Sequence, residues 1–354
     1  MIVFIIVLII VVWFVQQWSL KNAFKGLDYN CVCSKILVEP DEELELITTV
    51  TNSSARFVPF IRLEESLPGK TNVLHKSAKI KTDARGNLQH ISTIYMWRKS
   101  CLQRRLPVSL PERGRYYFKG ADLISGDFLG LAEDRRTFYS INEVVVYPKA
   151  APLADISGML GGFLGDISVR RFIMEDPVLT IGAREYTGNE PLKQISWKQS
   201  ARTGRLMVKQ FDYTVEPTVS ILLDVNTWQI GDKKSQLLEN CFSLTRSVCQ
   251  LLENKGIPYD FITNATTGNV YFNWSYLPEG LGRGHFHAVL EGLGQASYNA
   301  TEAFATTITK LHNKRETSRS TIIIMPERAA AKHHLAEKLQ EQDSLLIFIY
   351  GEDR

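Results

Sequence analysis

The chain has 354 residues, with 41 Lys and Arg against 38 Asp and Glu, a formal net charge of +3. At 44% hydrophobic residues it is long enough for two separate cores, and a disordered or collagen-like chain is excluded. The mild charge gives composition-level grounds neither for nucleic-acid binding nor for an acidic tail.

Residues 2–15 are apolar without interruption, and Trp13 and Trp18 bracket Gln16 and Gln17. This pattern predicts a transmembrane anchor over 1–20, with residues 2–18 in contact with the bilayer. No Lys or Arg precedes the run and no small-x-small site follows it, which argues against a cleaved signal. Lys21 and Lys25 follow the run, so the positive-inside bias predicts a cytoplasmic soluble part.

From 28 to 148 the chain reads as a β-sandwich. Glu43–Asn52 alternates polar and apolar residues, and 57–64, 89–97, 102–110, 114–123 and 137–147 follow as short strands separated by turn residues. Arg98, Lys99, Arg104, Arg105, Arg113, Arg115 and Lys119 fall among these strands, where alternation is predicted to put several of them on one solvated face. Near an anionic leaflet such a face gains roughly 1 kcal/mol per cation, so contact with anionic lipid is expected. Of the five cysteines, Cys31 and Cys33 fall on one face of a strand and Cys241 and Cys249 on an apolar helix, and Cys101 has no partner in metal-ligand spacing. Reduced thiols are the expectation. Pro148, Pro152 and glycines at 158, 161, 162 and 165 mark an interdomain joint over 149–183.

Residues 184–354 form the second predicted domain, which opens on Arg184-Glu-Tyr-Thr-Gly-Asn-Glu-Pro-Leu-Lys-Gln-Ile-Ser-Trp-Lys-Gln-Ser-Ala-Arg202. Pro191 suits the first turn of a short helix with Asn189 as N-cap, which would place Lys193 and Trp197 on one face and Lys198 and Arg202 on another. Arg184, Lys193, Lys198, Arg202, Arg205 and Lys209 give six cations in 26 residues. Trp197 then either anchors the helix in the core, with Arg184 and Arg202 paired to carboxylates, or displays a basic aromatic surface to a partner.

The stretch resembles the signature of the domain of unknown function fifty-eight family, bacterial membrane-anchored proteins. The matching positions are Arg184, Tyr186, Gly188, Lys193, Ile195, Trp197, Ser200, Ala201 and Arg202, continued by Gly204, Leu206 and Lys209. Asn189 stands where the family usually has Asp. Arg113-Gly-Arg-Tyr-Tyr, Gly126-Asp-Phe-Leu-Gly-Leu131 and Val146-Tyr-Pro148 are similar to further family features. The resemblance implies a von Willebrand A-like fold after the sandwich, attachment to the inner membrane and partnership with a MoxR-type AAA+ ATPase; family members commonly carry a two-helix hairpin, where this sequence offers a single span. Arg184, Tyr186, Trp197 and Arg202 are then expected to form or brace the partner face, with Gly188, Asn189, Lys193, Ser200 and Lys209 as the further motif residues.

The second half is predicted to alternate strands at 218–224, 259–263, 270–274, 321–325 and 345–350 with helices at 236–253, 300–312 and 329–342, an open α/β sheet. The whole is therefore expected to be a single N-terminal transmembrane helix followed by an α+β pair of domains. A von Willebrand A fold holds a divalent cation through an Asp-x-Ser-x-Ser loop. Here the loop is Asp224-Val-Asn-Thr-Trp228, which leaves Asp224 as the candidate ligand for Mg²⁺ in a degraded site. Without the ion, Asp224 would cap the next helix or bind Arg202 or Lys209. His285 and His287 are expected on one strand face, and His333 and His334 on opposite, solvent-facing sides of a helix. The Gly280–Gly284 turn has no Walker lysine, and no hydrolase elbow or zinc-protease motif occurs. A non-catalytic adaptor is the expected function. The alternative is a metal-dependent ligand-binding module or enzyme built on Asp224.

Overall fold

The structure is a computed structural model that describes residues 12–13, 24–75, 78–82, 86–126, 133–152, 156, 158, 160, 176–188, 191–212, 218–267, 275–314, 319–329, 332–334 and 345–353. Among these residues no helix is long and apolar enough to cross a membrane. The predicted anchor lies outside them apart from Val12 and Trp13, which are helical and exposed. The chain forms two compact units, residues 1–149 with 293–295 and residues 150–292 with 296–354.

The first unit is a β-sandwich. Its strands are β1 (Leu27–Cys33), β2 (Leu37–Val38), β3 (Glu43–Asn52), β4 (Val58–Leu67), β5 (Asn72–Val73), β6 (Lys79–Thr82), β7 (Leu88–Met96), β8 (Ser100–Ser109), β9 (Gly114–Gly126) and β10 (Glu133–Val146). One sheet runs β1-β3-β8-β5 and the other β2-β10-β9-β4-β7-β6, antiparallel except where β2 meets β10. The alternation read from the sequence is met residue by residue in β1 and β3, whose inward side chains join Leu63, Leu123, Phe118 and Val144 in a single core. Cys31 and Cys33 both face it. Burial pushes their thiols up, to about 11 for Cys31 and about 12 for Cys33, so both are inert small hydrophobes.

The chain comes into the sandwich at Leu27, opposite Asn52, at the end where the 53–57 and 97–99 turns join the two sheets. It leaves from Val146, opposite Gly114, at the other end. Partway along β10 a register shift between Tyr139 and Asn142 frees Ser140 and Asn142 to reach β1. There Ser140 Oγ and Asn142 Nδ2 donate to the Cys31 carbonyl at 2.9 and 2.7 Å. Gly120 allows this bulge, since its φ is +111° and a Cβ would overlap the Phe138 carbonyl. Gly120→Ala is expected to lose roughly 2 to 3 kcal/mol of unfolding free energy in urea titration.

The predicted basic face does not exist as one surface. Arg104 and Arg105 lie on β8 and Arg115 and Lys119 on β9, in different sheets. Arg104 turns inward to Glu65, and Arg115 pairs with Glu143 at 2.7 Å.

The second unit begins with an antiparallel ribbon of β11 (Asp176–Glu185) and β12 (Met207–Asp212), between which a 3-10 turn (Leu192–Gln194) and α1 (Trp197–Thr203) are inserted. There follow β13 (Val219–Leu223), α2 (Gly231–Lys255), β14 (Tyr259–Thr263), β15 (Ala265–Thr267), β16 (Tyr276–Gly280), α3 (Arg283–Gln295), β17 (Ala296–Ala300), α4 (Phe304–Lys314), β18 (Ser320–Met325) and β19 (Leu345–Tyr350). The main sheet has the order β16-β14-β13-β18-β19, parallel except at the β16 edge. Every residue of β13 and β18 is buried, as expected of strands covered on both faces. Leu222 and Ile323 pack with Phe304, Ile308 and Leu311 of α4. The apolar stripe of α2, centred on Leu238, Cys241, Phe242, Leu244 and Val248, is buried as well.

The helix predicted at 300–312 starts later, at Phe304, because Ala296–Ala300 pairs with β15 and Thr301 hydrogen-bonds Asn264 through both its amide and its hydroxyl. Residues 270–274, predicted as a strand, and most of the helix predicted at 329–342 lie outside the described residues. His285 and His287 sit on helix α3 and not on a strand. The apolar residues Phe286, Val289, Leu290 and Leu293 recur at helical spacing, a period that the pair of histidines obscured. His285 packs edge-on against Tyr259 at 4.7 Å, and desolvation lowers its pKa.

Candidate functional site at the sheet edge and the motif ribbon

The signature residues fold into one local unit. Arg184 lies near the end of β11, the Tyr186 amide donates to the Leu206 carbonyl, and Lys209 lies on β12. The helix predicted from Pro191 is interrupted. Ile195 is buried and bridges Val208, and the Ser196 amide donates to the Met207 carbonyl, so a single 3-10 turn precedes α1. Pro191 occupies the N-cap position of that turn with no side-chain cap, and Asn189 lies outside the described residues. Ser200 fixes α1 to β12, its hydroxyl donating to Ser196 O at 2.9 Å and accepting from the Met207 amide at 2.8 Å. Gly204 closes the helix in the left-handed region at φ 70°.

Helix α1 buries no residue. Trp197 is 67% exposed, so of the two readings of this tryptophan, core anchoring is corrected. Lys193, Lys198, Arg202 and Lys209 are exposed around the ribbon, as is Gly188, held at φ 98°. Arg205 is matched to Glu185 at 2.6 Å.

Asp224 lies at the carboxyl end of β13, fully buried. Its Oδ1 accepts from Asn264 Nδ2 at 2.6 Å and from the Asn226 amide at 3.0 Å, and its Oδ2 accepts from Lys332 Nζ at 2.6 Å. The same ammonium donates to the Asn226 carbonyl at 2.6 Å and sits 5.8 Å from the Phe304 ring centre. Asp224 therefore pairs with Lys332 and not with Arg202 or Lys209. It does not cap α2 either, whose N-cap position is Ile230 with no side-chain bond. The residues do not fit a divalent cation in this arrangement. Both carboxylate oxygens are engaged, the ammonium takes the carbonyl that a metal would use, and no three-ligand cluster of His, Cys, Asp or Glu occurs among the described residues.

Glu327, just after β18, completes the edge. Buried, it accepts from Thr227 Oγ1 at 2.8 Å and from the Trp228 amide at 3.4 Å. These contacts hold the 224–230 loop so that Trp228 and Ile230 project into solvent. Asn264, Glu327 and Lys332 escaped the sequence reading. Asn264 and Glu327 follow the strands flanking β13, at the edge where open sheets place ligand-binding residues, and that rule would have found them. Lys332 follows Ala329-Ala-Ala331 and carries no signal.

His333 is not solvent-facing as predicted. It stacks on Phe348 at 4.2 Å and meets the Tyr350 hydroxyl through Nε2 at 2.8 Å, while His334 is exposed. A cleft of about 620 Å³ opens in the sandwich beside His75, Lys79, His90 and Arg104. Its arginines are matched to carboxylates, Arg62 to Glu133, Arg104 to Glu65 and Arg105 to Glu45.

Residues 182–332 match the family described as "Protein of unknown function DUF58". No curated protein matches the sequence. Among solved structures, the chain is similar to the CARDB domain of the PF1109 protein from Pyrococcus furiosus, solved in complex with di-metal ions, at 13% identity. That match covers 34% of this chain and 91% of that one with a TM-score of 0.24. A type II cohesin domain from the cellulosome of Acetivibrio cellulolyticus matches at 9% identity over 34% of this chain and 95% of its own, with a TM-score of 0.26. CaCohA2 from Clostridium acetobutylicum matches at 13% identity over 35% and 94%, with a TM-score of 0.22.

Proposed function

We propose, because residues 182–332 match the DUF58 family, that this chain is a membrane-anchored, non-catalytic adaptor that docks a protein partner through its motif ribbon and sheet edge. Residues 2–18 would span the inner membrane, and the soluble part would lie in the cytoplasm with a von Willebrand A-like second domain. The strand order, with a parallel centre and one antiparallel edge, supports that last assignment. A MoxR-type AAA+ ATPase is the partner class proposed.

One observation carries the reading. Trp197, whose large apolar ring is costly to leave in water, is displayed on a seven-residue helix that buries nothing and carries Lys198 and Arg202. An exposed aromatic within a basic surface is the composition of a binding hot spot. Trp228 and Ile230 add apolar surface at the sheet edge, and the Asp224–Lys332 pair makes that edge independent of a metal ion.

The test is crosslinking in native membranes with and without ATP, followed by identification of what accompanies the tagged chain. Recovery of an AAA+ ATPase with the wild type, and a loss of at least about tenfold with Trp197→Ala or Arg202→Glu, is expected, because hot-spot truncations cost upwards of about 1 to 2 kcal/mol. The melting temperature should stay unchanged, since neither side chain is buried. Unfolding of either variant would mark the motif as structural, and recovery of the chain alone in both conditions would sink the adaptor reading.

A further inference from the structure

At the end of the sandwich where the chain comes in, three aromatic rings pack on one another in solvent. Phe57 lies 4.8 Å from Trp97 and 6.4 Å from Tyr95 between ring centres, and Tyr95 and Trp97 are 63% and 62% exposed. The fold dictates the display. Met96 turns into the core, so Tyr95 must face outward from β7, and Asn52 Nδ2 grips the carbonyls of Arg56 and Trp97 at 2.8 Å each, which fixes both turns. Lys99 is held at φ 49° in the turn, its amide bonded to the Ser54 carbonyl. Lys25, Arg98 and Lys99 are exposed or half-exposed at the same end, and none forms an ion pair among the described residues. Folding alone gives no reason to leave a tryptophan, a tyrosine and a phenylalanine in water beside unpaired cations.

Sequence distance supplies the occupant. Five residues separate Trp18, the last aromatic of the apolar segment, from Phe24, where the sandwich begins. At ~3.5 Å per residue the start of the sandwich, on the same end as the aromatics, therefore lies within roughly 20 Å of the membrane interface if that segment is inserted. Tryptophan and tyrosine prefer the headgroup layer, where the ring is shielded and its polar edge stays wet, and lysine and arginine prefer anionic headgroups.

We infer that the Phe57, Tyr95 and Trp97 cluster, with Lys25, Arg98 and Lys99, is a second membrane contact that seats this end of the sandwich on an anionic bilayer surface. The inference rests on the anchor reading above, and the experiment separates the two. Cys101 is the one exposed cysteine among those described, so full-length Cys101→Ser chains carrying either Ala55→Cys, in the exposed turn at the aromatic end, or Ile36→Cys take an environment-sensitive fluorophore at opposite ends of the sandwich. Each is reconstituted into mixed phosphatidylcholine and phosphatidylglycerol vesicles and floated on a density gradient.

The expected result is co-flotation of both chains, with the label at 55 blue-shifted and about twofold less quenched by aqueous iodide than in detergent, and the label at 36 unchanged. Pure phosphatidylcholine vesicles, or adding Lys99→Glu and Trp97→Ala, should return the label at 55 to water while flotation persists. Co-flotation with equal iodide access at 55 and 36 would overturn the docking contact and leave the anchor standing. Failure to float would overturn both.

Discussion

Lys332→Met is expected to cost about 3 to 5 kcal/mol of unfolding free energy, because it strands a buried carboxylate whose charge has no other counterion among the described residues. The methionine keeps an unbranched stem of similar length, so the loss measures the charge more than the packing. Asn264 and the Asn226 amide still donate to Oδ1, but Oδ2 loses its partner. Adding Asp224→Asn should restore most of the stability, since neither charge then remains. Urea titration of the two single variants and the double variant gives the coupling directly.

The same site makes a prediction about metal. Millimolar Mg²⁺ should leave the wild-type melting temperature where it is, because the ammonium already holds Asp224 Oδ2 and the Asn226 carbonyl. In Lys332→Ala both oxygens are released to a hard cation, and Mg²⁺ should then raise the melting temperature. A wild-type rise that disappears in Asp224→Ala would restore the metal-dependent reading and remove the ion-pair reading.

Glu65→Leu is the second large expectation, again about 3 to 5 kcal/mol. Glu65 on β4 is buried between the sheets. It accepts from Thr48 of β3 and from Arg104 of β8, and meets His90 of β7 at 2.9 Å. One carboxylate thus ties both layers of the sandwich together, and its removal leaves the Arg104 guanidinium partly desolvated with an Nε already lacking a partner. Pairing the change with Arg104→Met should recover a substantial part of the loss. Additive losses in that double variant would show that the carboxylate acts through Thr48 and His90 alone.

Much of the architecture was legible because it rests on local periodicity. Alternation in β1 and β3, the unbroken apolar runs of β13 and β18 and the stripe on α2 are each properties of a single segment. The register shift at Tyr139 depends on β10 meeting β1 across a hundred residues, and nothing near Gly120 announces it. The broken helix after Pro191 has the same origin, since Ile195 leaves the helix to bridge a strand that comes later. At the candidate site, Asp224 could be named from its place at a strand end. Lys332 could not, because a single lysine 108 residues away becomes a counterion only once the sheet edge is assembled. Trp197 stands out in the sequence, but its exposure does not, because Ile195 and Ser200 are the residues that tie this segment to β12.

The two ends of the sandwich lead to mechanics. Its first strand starts at one end and its last strand finishes at the other. A pull applied between the N-terminal segment and the chain beyond Val146 would therefore load β1 along its pairing with β3, and β10 along its pairing with β9. In that geometry the cross-strand hydrogen bonds bear force together and do not break singly from a frayed end. The sandwich is thus built to pass tension along the chain without being peeled strand by strand.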